Sequence, residues 1–249
     1  GTFKGVSKID KNSSKFKVFR NDPESPNSLN NNFVRDFWEV QEGIIWIATE
    51  GGINVYNEKS GDFSFIKRDP DKENTLPSNN IRDIFRDSFG DFWLGTSDSG
   101  VIRYQPDEDL FTVFNHNPND TGSLNSNFVQ ITYEDRDKNI WVATSNGLNR
   151  FERDKDAFVR FDAIADDPST EKFSRIYDIY QDSLGIIWFA SQSGLTKYDP
   201  ESDIFSSIYI QPDSQNKVVS NKLFSIHEDG QGNFWLGTRG GGLVKYNLE

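Results

Sequence analysis

The chain has 249 residues, of which 35% are hydrophobic and 14% aromatic, so it can bury a substantial core. Its 39 acidic and 27 basic residues give a net charge of −12, which argues against nucleic-acid binding, because that function requires a basic surface. The absence of Cys and the presence of only two His exclude disulfides, thiolate metal sites and a histidine cluster, and we predict neither metal nor cofactor.

Five tryptophans recur at a nearly constant interval along the chain. They are Trp46, Trp93, Trp141, Trp188 and Trp235, and such a fixed period indicates a repeat architecture. A constant interval from a turn glycine to a phenylalanine, as in Gly5 to Phe16, extends the series toward the N terminus. The predicted repeats are approximately 1–20 (partial), 21–67, 68–115, 116–162, 163–210 and 211–249 (partial). We expect the whole to be one propeller segment excised from a longer protein.

Each repeat contains four short runs of β-branched and aromatic residues separated by Gly, Asp, Asn and Pro, which is the pattern of strands joined by turns. We label these strands a to d. Strand a is predicted at 33–40, 81–87, 128–135, 176–182 and 223–229, and strand b at 44–49, 92–96, 140–144, 186–191 and 234–238. Strand c is predicted at 53–56, 101–104, 148–151, 195–198 and 243–246, and strand d at 63–66, 111–114, 158–161 and 205–208. No segment has the 3.6-residue apolar period of a helix.

A four-stranded unit of this length is apolar on both faces and cannot bury them alone. Radial stacking of such units buries each face against its neighbour, which is the construction of a β-propeller. We therefore predict an all-β fold, a propeller of four-stranded antiparallel blades with about five repeats. The strand at 16–19 can complete the last repeat and close a five-bladed ring; the alternative is an arc of a larger propeller.

The repeat also resembles a known sequence family. In the third repeat its motif comprises Ser123, Leu124, Asn127 and Val129, then Trp-Val-Ala-Thr at 141–144 and Gly147-Leu148. This pattern is similar to the two-component regulator propeller repeat, found in the extracytoplasmic sensor regions of bacterial hybrid histidine kinases and some diguanylate cyclases. The resemblance covers nearly the whole chain.

The resemblance implies a periplasmic, non-catalytic domain that senses a small molecule or an oligosaccharide for a two-component or cyclic-di-GMP receptor. It also implies partners in the parent protein, namely a small β-sandwich and a membrane helix, and it is compatible with a homodimer. No kinase, cyclase or receiver motif is present, so the segment would supply only the input.

Candidate ligand contacts lie where strand a begins and in the turns between strands b and c. The residues there differ between repeats, as recognition of an asymmetric ligand by a pseudo-symmetric frame would require. The strand-a candidates are Arg35, Arg82, Gln130, Arg175, Tyr177 and Phe224, and the turn candidates are Asp98 and Arg239. The neighbouring asparagines, such as Asn32 and Asn79, are interpreted as strand-entry caps.

Two other functions fit the same pattern. Asp36, Asp83 and Asp178 share one repeat position and could form the paired carboxylates of a glycoside hydrolase, although a shared structural role is the stronger interpretation. The third possibility is a protein-interaction platform that binds no small ligand.

Overall fold

The computed structural model describes residues 4–9, 15–161, 175–208 and 222–247. These residues form strands and a single 3-10 helix, Arg153–Lys155, so the predicted all-β class is confirmed. Among them, no helix has the length and apolarity needed to cross a membrane. The predicted connections at 163–173 and 211–220 lie outside the described residues.

The strands form six antiparallel sheets in chain order. A two-stranded sheet, here called the half-blade, contains β1 (Val6–Ile9) and β2 (Phe16–Phe19). Blade 1 contains β3 (Val34–Gln41), β4 (Ile44–Thr49), β5 (Gly52–Asn57) and β6 (Phe63–Ile66). Blade 2 contains β7 (Ile81–Arg86), β8 (Phe92–Thr96), β9 (Val101–Gln105) and β10 (Leu110–Phe114). The strand at 16–19, which the closed-ring alternative assigned to the last repeat, here pairs with β1.

The second half of the chain continues the same pattern. Blade 3 contains β11 (Val129–Glu134), β12 (Ile140–Thr144), β13 (Gly147–Glu152) and β14 (Ala157–Phe161). Blade 4 contains β15 (Ile176–Gln181), β16 (Ile187–Ser191), β17 (Gly194–Asp199) and β18 (Ile204–Ile208). The last sheet, blade 5, has three strands, β19 (Leu223–Glu228), β20 (Phe234–Thr238) and β21 (Gly242–Tyr246).

Each predicted strand is present, and its ends differ from the prediction by at most one residue. Strand c begins earlier than predicted in most blades, because its turn glycine already pairs with the last residue of strand b. Gly52 pairs with Thr49 and Gly147 pairs with Thr144 in this way. Both glycines have positive φ values, 103° and 128°, which side chains other than glycine rarely adopt.

The chain divides into two compact units. Unit 1 holds the half-blade, blades 1 and 2 and the first residues of β11, through Thr132. Unit 2 holds residues 116–126 and the chain from Tyr133 onward, which includes β12 to β21.

Inside each unit, adjacent blades pack face to face through the tryptophans of strand b. In unit 1, Trp46 of blade 1 stacks on Phe92 of blade 2 with ring centroids 4.7 Å apart. In unit 2, Trp188 of blade 4 meets Phe234 of blade 5 edge to face at 4.9 Å. Burial of such rings supplies the main apolar contact between blades.

The turn between strands a and b holds an aspartate that binds the tryptophan six residues later. In blades 2, 4 and 5 its Oδ1 accepts two turn amides, and in blades 2 to 5 its Oδ2 accepts the indole N–H. The indole bonds join Trp93 to Asp87 at 2.9 Å, Trp141 to Asp135 at 2.8 Å, Trp188 to Asp182 at 2.7 Å and Trp235 to Asp229 at 2.9 Å. The indole bond of Trp235, together with bonds from Asn233, holds the pKa of Asp229 well below its usual range. The sequence predicted turns at these positions but not the bond to the indole.

Replacing this aspartate is expected to weaken the blade. Asp87→Ala removes the acceptor of the Phe89 and Asp91 amides and of the buried Trp93 indole, so the free energy of unfolding should fall by about 2–3 kcal/mol. Asp107→Ala, in the exposed c–d turn of the same blade, is the control and should cost less than about 1 kcal/mol. Urea unfolding followed by circular dichroism measures both; equal losses would contradict the role of the turn carboxylate.

Candidate functional site

Three aspartates at the third position of strand a link adjacent blades. Each accepts the amide N–H of a residue in the first strand of the next blade. The pairs are Asp36 with Ile84 at 2.9 Å, Asp83 with Thr132 at 2.8 Å, and Asp178 with Ile226 at 2.8 Å. The third positions of β11 and β19 hold Ile131 and Ser225 instead. This arrangement favours the structural interpretation of these carboxylates over a catalytic ring.

Packing against the next blade also changes the ionisation of these groups. Burial raises the pKa of Asp36 and of Asp178 above the usual carboxyl range. Burial and the negative charge of Asp36 raise the pKa of Asp83 to about 7, against the opposing effect of hydrogen bonds from Thr132. The Thr132 hydroxyl donates to the same oxygen, Oδ2, at 2.5 Å.

The second position of strand a, one residue earlier, carries the predicted ligand contacts, and in unit 1 two of them meet. The Arg82 guanidinium donates to the Gln130 amide oxygen at 2.9 Å and to the Val129 carbonyl at 3.1 Å. It also lies over the Phe128 ring, 4.5 Å from the centroid. These contacts fix the position of the Arg82 guanidinium at the start of strands β7 and β11.

The other predicted residues of unit 1 have separate partners. Arg35 forms an ion pair with Glu50 at 2.5 Å. Asp98 accepts hydrogen bonds from Ser78, Asn80 and Ser99. Burial alone would raise the pKa of Asp98, but these hydrogen bonds lower it below its usual value.

In unit 2 an aromatic pair forms at the equivalent position. The Tyr177 and Phe224 rings have centroids 4.6 Å apart with a 53° tilt, and Phe224 is 41% exposed. Arg239, in the exposed b–c turn of blade 5, donates its amide to the Lys222 carbonyl at 2.9 Å. Arg175 precedes β15 with φ of 30°, and its carbonyl accepts the Gln192 amide at 3.2 Å.

Sequence reasoning missed the partners of the predicted residues. Phe128 and Asn80 occupy the position just before strand a, and Glu50 begins a b–c turn. Of the residues at this position only Arg175 was predicted, although alignment of the repeats shows that all five vary: Phe33, Asn80, Phe128, Arg175 and Lys222.

Two of the asparagines interpreted as strand-entry caps have a structural role, but their side chains bind the preceding connection. The Asn32 side chain accepts the Asn21 amide at 2.7 Å, and the Asn79 side chain accepts the Arg68 amide at 2.8 Å. Each therefore fastens the connection that leads into its blade. Across the described ranges, no group of three or more His, Cys, Asp or Glu side chains is placed to hold a metal ion.

Comparisons with known proteins agree with the repeat analysis. The model of the two component regulator propeller family matches residues 75–98, 123–146, 170–193 and 217–240. Within the described chain, these segments include strand a, the aspartate turn and strand b. No curated protein matches the chain.

Solved structures with similar folds are propellers of several functions. The extracellular domain of a protein described as a hybrid two component system of B. thetaiotaomicron has a TM-score of 0.76 and 23% identity. The match covers 96% of this chain and 30% of that one, so the chain spans less than a third of its length. Virginiamycin B lyase from Staphylococcus aureus has a TM-score of 0.62 at 14% identity, covering 98% and 77%. YCF48, solved bound to D1 peptide, has a TM-score of 0.60 at 15% identity, covering 95% and 69%.

At these identities the structural likeness establishes the fold alone, and the predicted β-propeller class is confirmed. The four matched segments recur at the spacing of the strand-b tryptophans. Four repeats of the chain therefore match the two component regulator propeller family.

Proposed function

We propose that this chain is the non-catalytic, ligand-sensing part of a bacterial two-component or cyclic-di-GMP signalling receptor. One observation carries the proposal. The Asp and Trp positions of the repeat make the same bond in blades 2 to 5, whereas the second position of strand a varies between blades: Arg35, Arg82, Gln130, Tyr177 and Phe224. The blade framework does not require different residues at this position, whereas a surface that recognises an asymmetric ligand does.

The chemistry of that position suits a small polar ligand with a ring. In unit 1, Arg82 and Gln130 present polar groups suited to hydroxyl or carboxylate oxygens. In unit 2, the half-exposed Tyr177 and Phe224 rings present an apolar surface on which a sugar ring can stack. Sugars offer both features, so each of the two surfaces is by itself a candidate contact. Arg35 and Asp98 are further candidates in unit 1, and Arg175 and Arg239 in unit 2.

The proposal includes the setting of the domain. The family match and the likeness to an extracellular domain of a hybrid two component system support a periplasmic location in the parent protein. The partners would then be the β-sandwich and membrane helix of the parent protein. A ligand that changes domain packing across a homodimer would pass the signal inward.

Two alternatives have specific observations in their favour. The first alternative is a glycoside hydrolase, since one of the similar propellers, the lyase, is an enzyme. Its candidate carboxylates, Asp36, Asp83 and Asp178, however, already accept backbone amides of the next blade. The exposed Phe224 ring favours a protein-interaction platform, because exposed aromatic side chains often anchor partners.

Binding to a glycan panel, measured by thermal shift and calorimetry, tests the proposal. For a glycan that binds, Arg82→Ala or Tyr177→Ala is expected to lower the affinity at least about tenfold, since each removes a contact group. The control is Lys59→Ala, in an exposed c–d turn of blade 1.

Three results would count against this function. Binding unchanged in both variants would place the ligand elsewhere. Glycan hydrolysis that disappears in Asp83→Asn and Asp178→Asn would favour the hydrolase. A protein partner that binds the chain and is lost in Phe224→Ala, with no glycan bound, would favour the platform.

A further inference from the structure

The residues proposed to contact the ligand from strand a lie on β-bulges. In blade 2 the register of β7 against β8 shifts between Ile81 and Asp83, so Arg82 is the extra residue of its strand. The same shift occurs in three other blades, where the extra residues are Arg35, Tyr177 and Phe224. A bulge breaks the alternation of side chains along a strand and re-aims the one that it carries. The direction of these side chains therefore depends on the packing around the bulge.

The strand-b residue beside each of these bulges is small. It pairs with the third position of strand a and is glycine or alanine: Ala48, Gly95, Ala190 and Gly237. A Cβ atom on Gly95 would lie 2.8 Å from Cγ1 of Val129, the first residue of β11, and 3.1 Å from Cβ of Asp83. Carbon atoms in favourable contact are about 3.5–4.0 Å apart. The start of β11 can therefore lie this close to β8 only because Gly95 has no side chain.

The contacts of Arg82 come from the same start of β11. Arg82 Nε donates to the carbonyl of Val129 at 3.1 Å, and Val129 is the fully buried residue that packs on Gly95. Arg82 Nη2 donates to the Gln130 amide oxygen at 2.9 Å, and the guanidinium lies over the Phe128 ring. These three partners are consecutive in the chain, so a shift of β11 away from β8 would move all of them away from the guanidinium.

Blade 1 has an arginine at the same position but an alanine beside the bulge. Its Arg35 forms an ion pair with Glu50, at the b–c turn of its own blade, at 2.5 Å. Arg82 instead bonds to the first residues of the next blade. The strand-b residues beside the two arginines, Ala48 and Gly95, differ by one methyl group. The comparison associates the glycine with the contact to the next blade.

We infer that Gly95 is a positioning residue for the ligand contact of Arg82. The absence of a side chain lets Val129 pack against β8, and this packing holds the acceptors of β11 at the distance that fixes the guanidinium. The inference rests on the proposed function, in which Arg82 contacts the ligand. The recognition surface then depends on a small buried residue of strand b as well as on the variable side chains.

Gly95→Ala tests the inference, and alanine at this position is compatible with the blade, because blades 1 and 4 have it. We expect hydrogen exchange of the Arg82 Nε–H, followed by NMR without ligand, to speed up at least about fivefold, since its hydrogen bond to Val129 is weakened. For a glycan whose binding Arg82→Ala weakens, the affinity for Gly95→Ala should fall by a similar factor, about fivefold.

Two further variants separate positioning from a general loss of stability. Ile102→Val removes a methyl group from a fully buried residue of strand c in the same blade. It should lower the melting temperature by a few degrees and leave both Arg82 exchange and glycan affinity unchanged. Adding Val129→Ala to Gly95→Ala makes room for the new methyl group, so the double variant should show slower Arg82 exchange and tighter glycan binding than Gly95→Ala alone.

Unchanged Arg82 exchange in the folded Gly95→Ala variant would overturn the inference, and so would an equal change in Ile102→Val. If Gly95→Ala does not fold, Val129→Ala takes its place, because it loosens the same contact from the other side, and unchanged exchange there overturns the inference. The exchange measurement requires no ligand. The proposed function fails separately, when neither Arg82→Ala nor Tyr177→Ala changes glycan binding. Binding weakened by Arg82→Ala but not by Gly95→Ala contradicts only the positioning role.

Discussion

Trp141→Ala is expected to lower the free energy of unfolding by about 3–5 kcal/mol. The indole is fully buried and meets the Phe189 ring at 5.8 Å and the Tyr198 ring at 5.2 Å. Its N–H also donates to Asp135, which is itself buried. The substitution therefore leaves a cavity and removes a donor from a buried carboxylate.

Two matched variants separate these effects. Trp141→Phe keeps an aromatic ring in the core but removes the bond to Asp135 and part of the buried ring, so about 1–3 kcal/mol should be lost. Trp235→Ala removes the same residue type with the same aspartate bond from a half-buried position in blade 5, and should cost less than half as much as Trp141→Ala. Urea unfolding followed by far-ultraviolet circular dichroism measures all three. Equal losses in Trp141→Ala and Trp235→Ala would mean that packing between blades is not the main source of stability.

The free energy of unfolding is expected to fall as the pH rises from about 4 to about 7. The pKa of Asp83 is raised in the fold to about 7, so in that window the folded state binds more protons at this group than the unfolded state. The stabilisation is complete below the unfolded pKa and is lost as the pH rises through the folded one. The loss from Asp83 is at most about 4 kcal/mol. The raised pKa values of Asp36 and Asp178 act in the same direction.

Asp83→Asn is the variant that tests this assignment. Its side-chain oxygen can still accept the Thr132 amide and hydroxyl, but it does not ionise. The variant should therefore show a much smaller decline across the window and be at least as stable as the native chain at pH 8. Asp98→Asn is the control, because the pKa of Asp98 is lowered and its loss leaves the decline in place. A decline of the same size in Asp83→Asn would assign the titration to other groups.

Much of the fold was predictable because its signals are local. Alternating apolar residues place the strands, and turn residues such as Asp87 and Gly90 place the hairpins within a few residues of one another. The spacing of the tryptophans then groups four strands into a blade. Strand ends were less predictable, because pairing with a neighbour, as between Thr49 and Gly52, extends a strand beyond its apolar core.

The candidate site was predictable only in part. The repeat alignment identified Arg82, Gln130, Tyr177 and Phe224 as variable positions, and the structure brings them together in two pairs. It did not identify Phe128, which lies under the Arg82 guanidinium. A phenylalanine at this point of the repeat is equally compatible with a core position. The sequence alone therefore does not indicate whether Phe128 belongs to the core or supports Arg82.

The amino-acid sequence by itself determined the strand order, the hairpin turns and the repetition of the blade, because these depend on side chains within a single repeat. Only the tertiary structure decided the bonds between repeats, such as that from the Ile84 amide to Asp36, 48 residues away. It likewise decided the ionisation of individual aspartates: the pKa of Asp83 is raised to about 7, whereas the pKa of Asp229 is lowered. The physical reason is that desolvation and hydrogen bonding at each carboxylate depend on how the neighbouring elements pack around it.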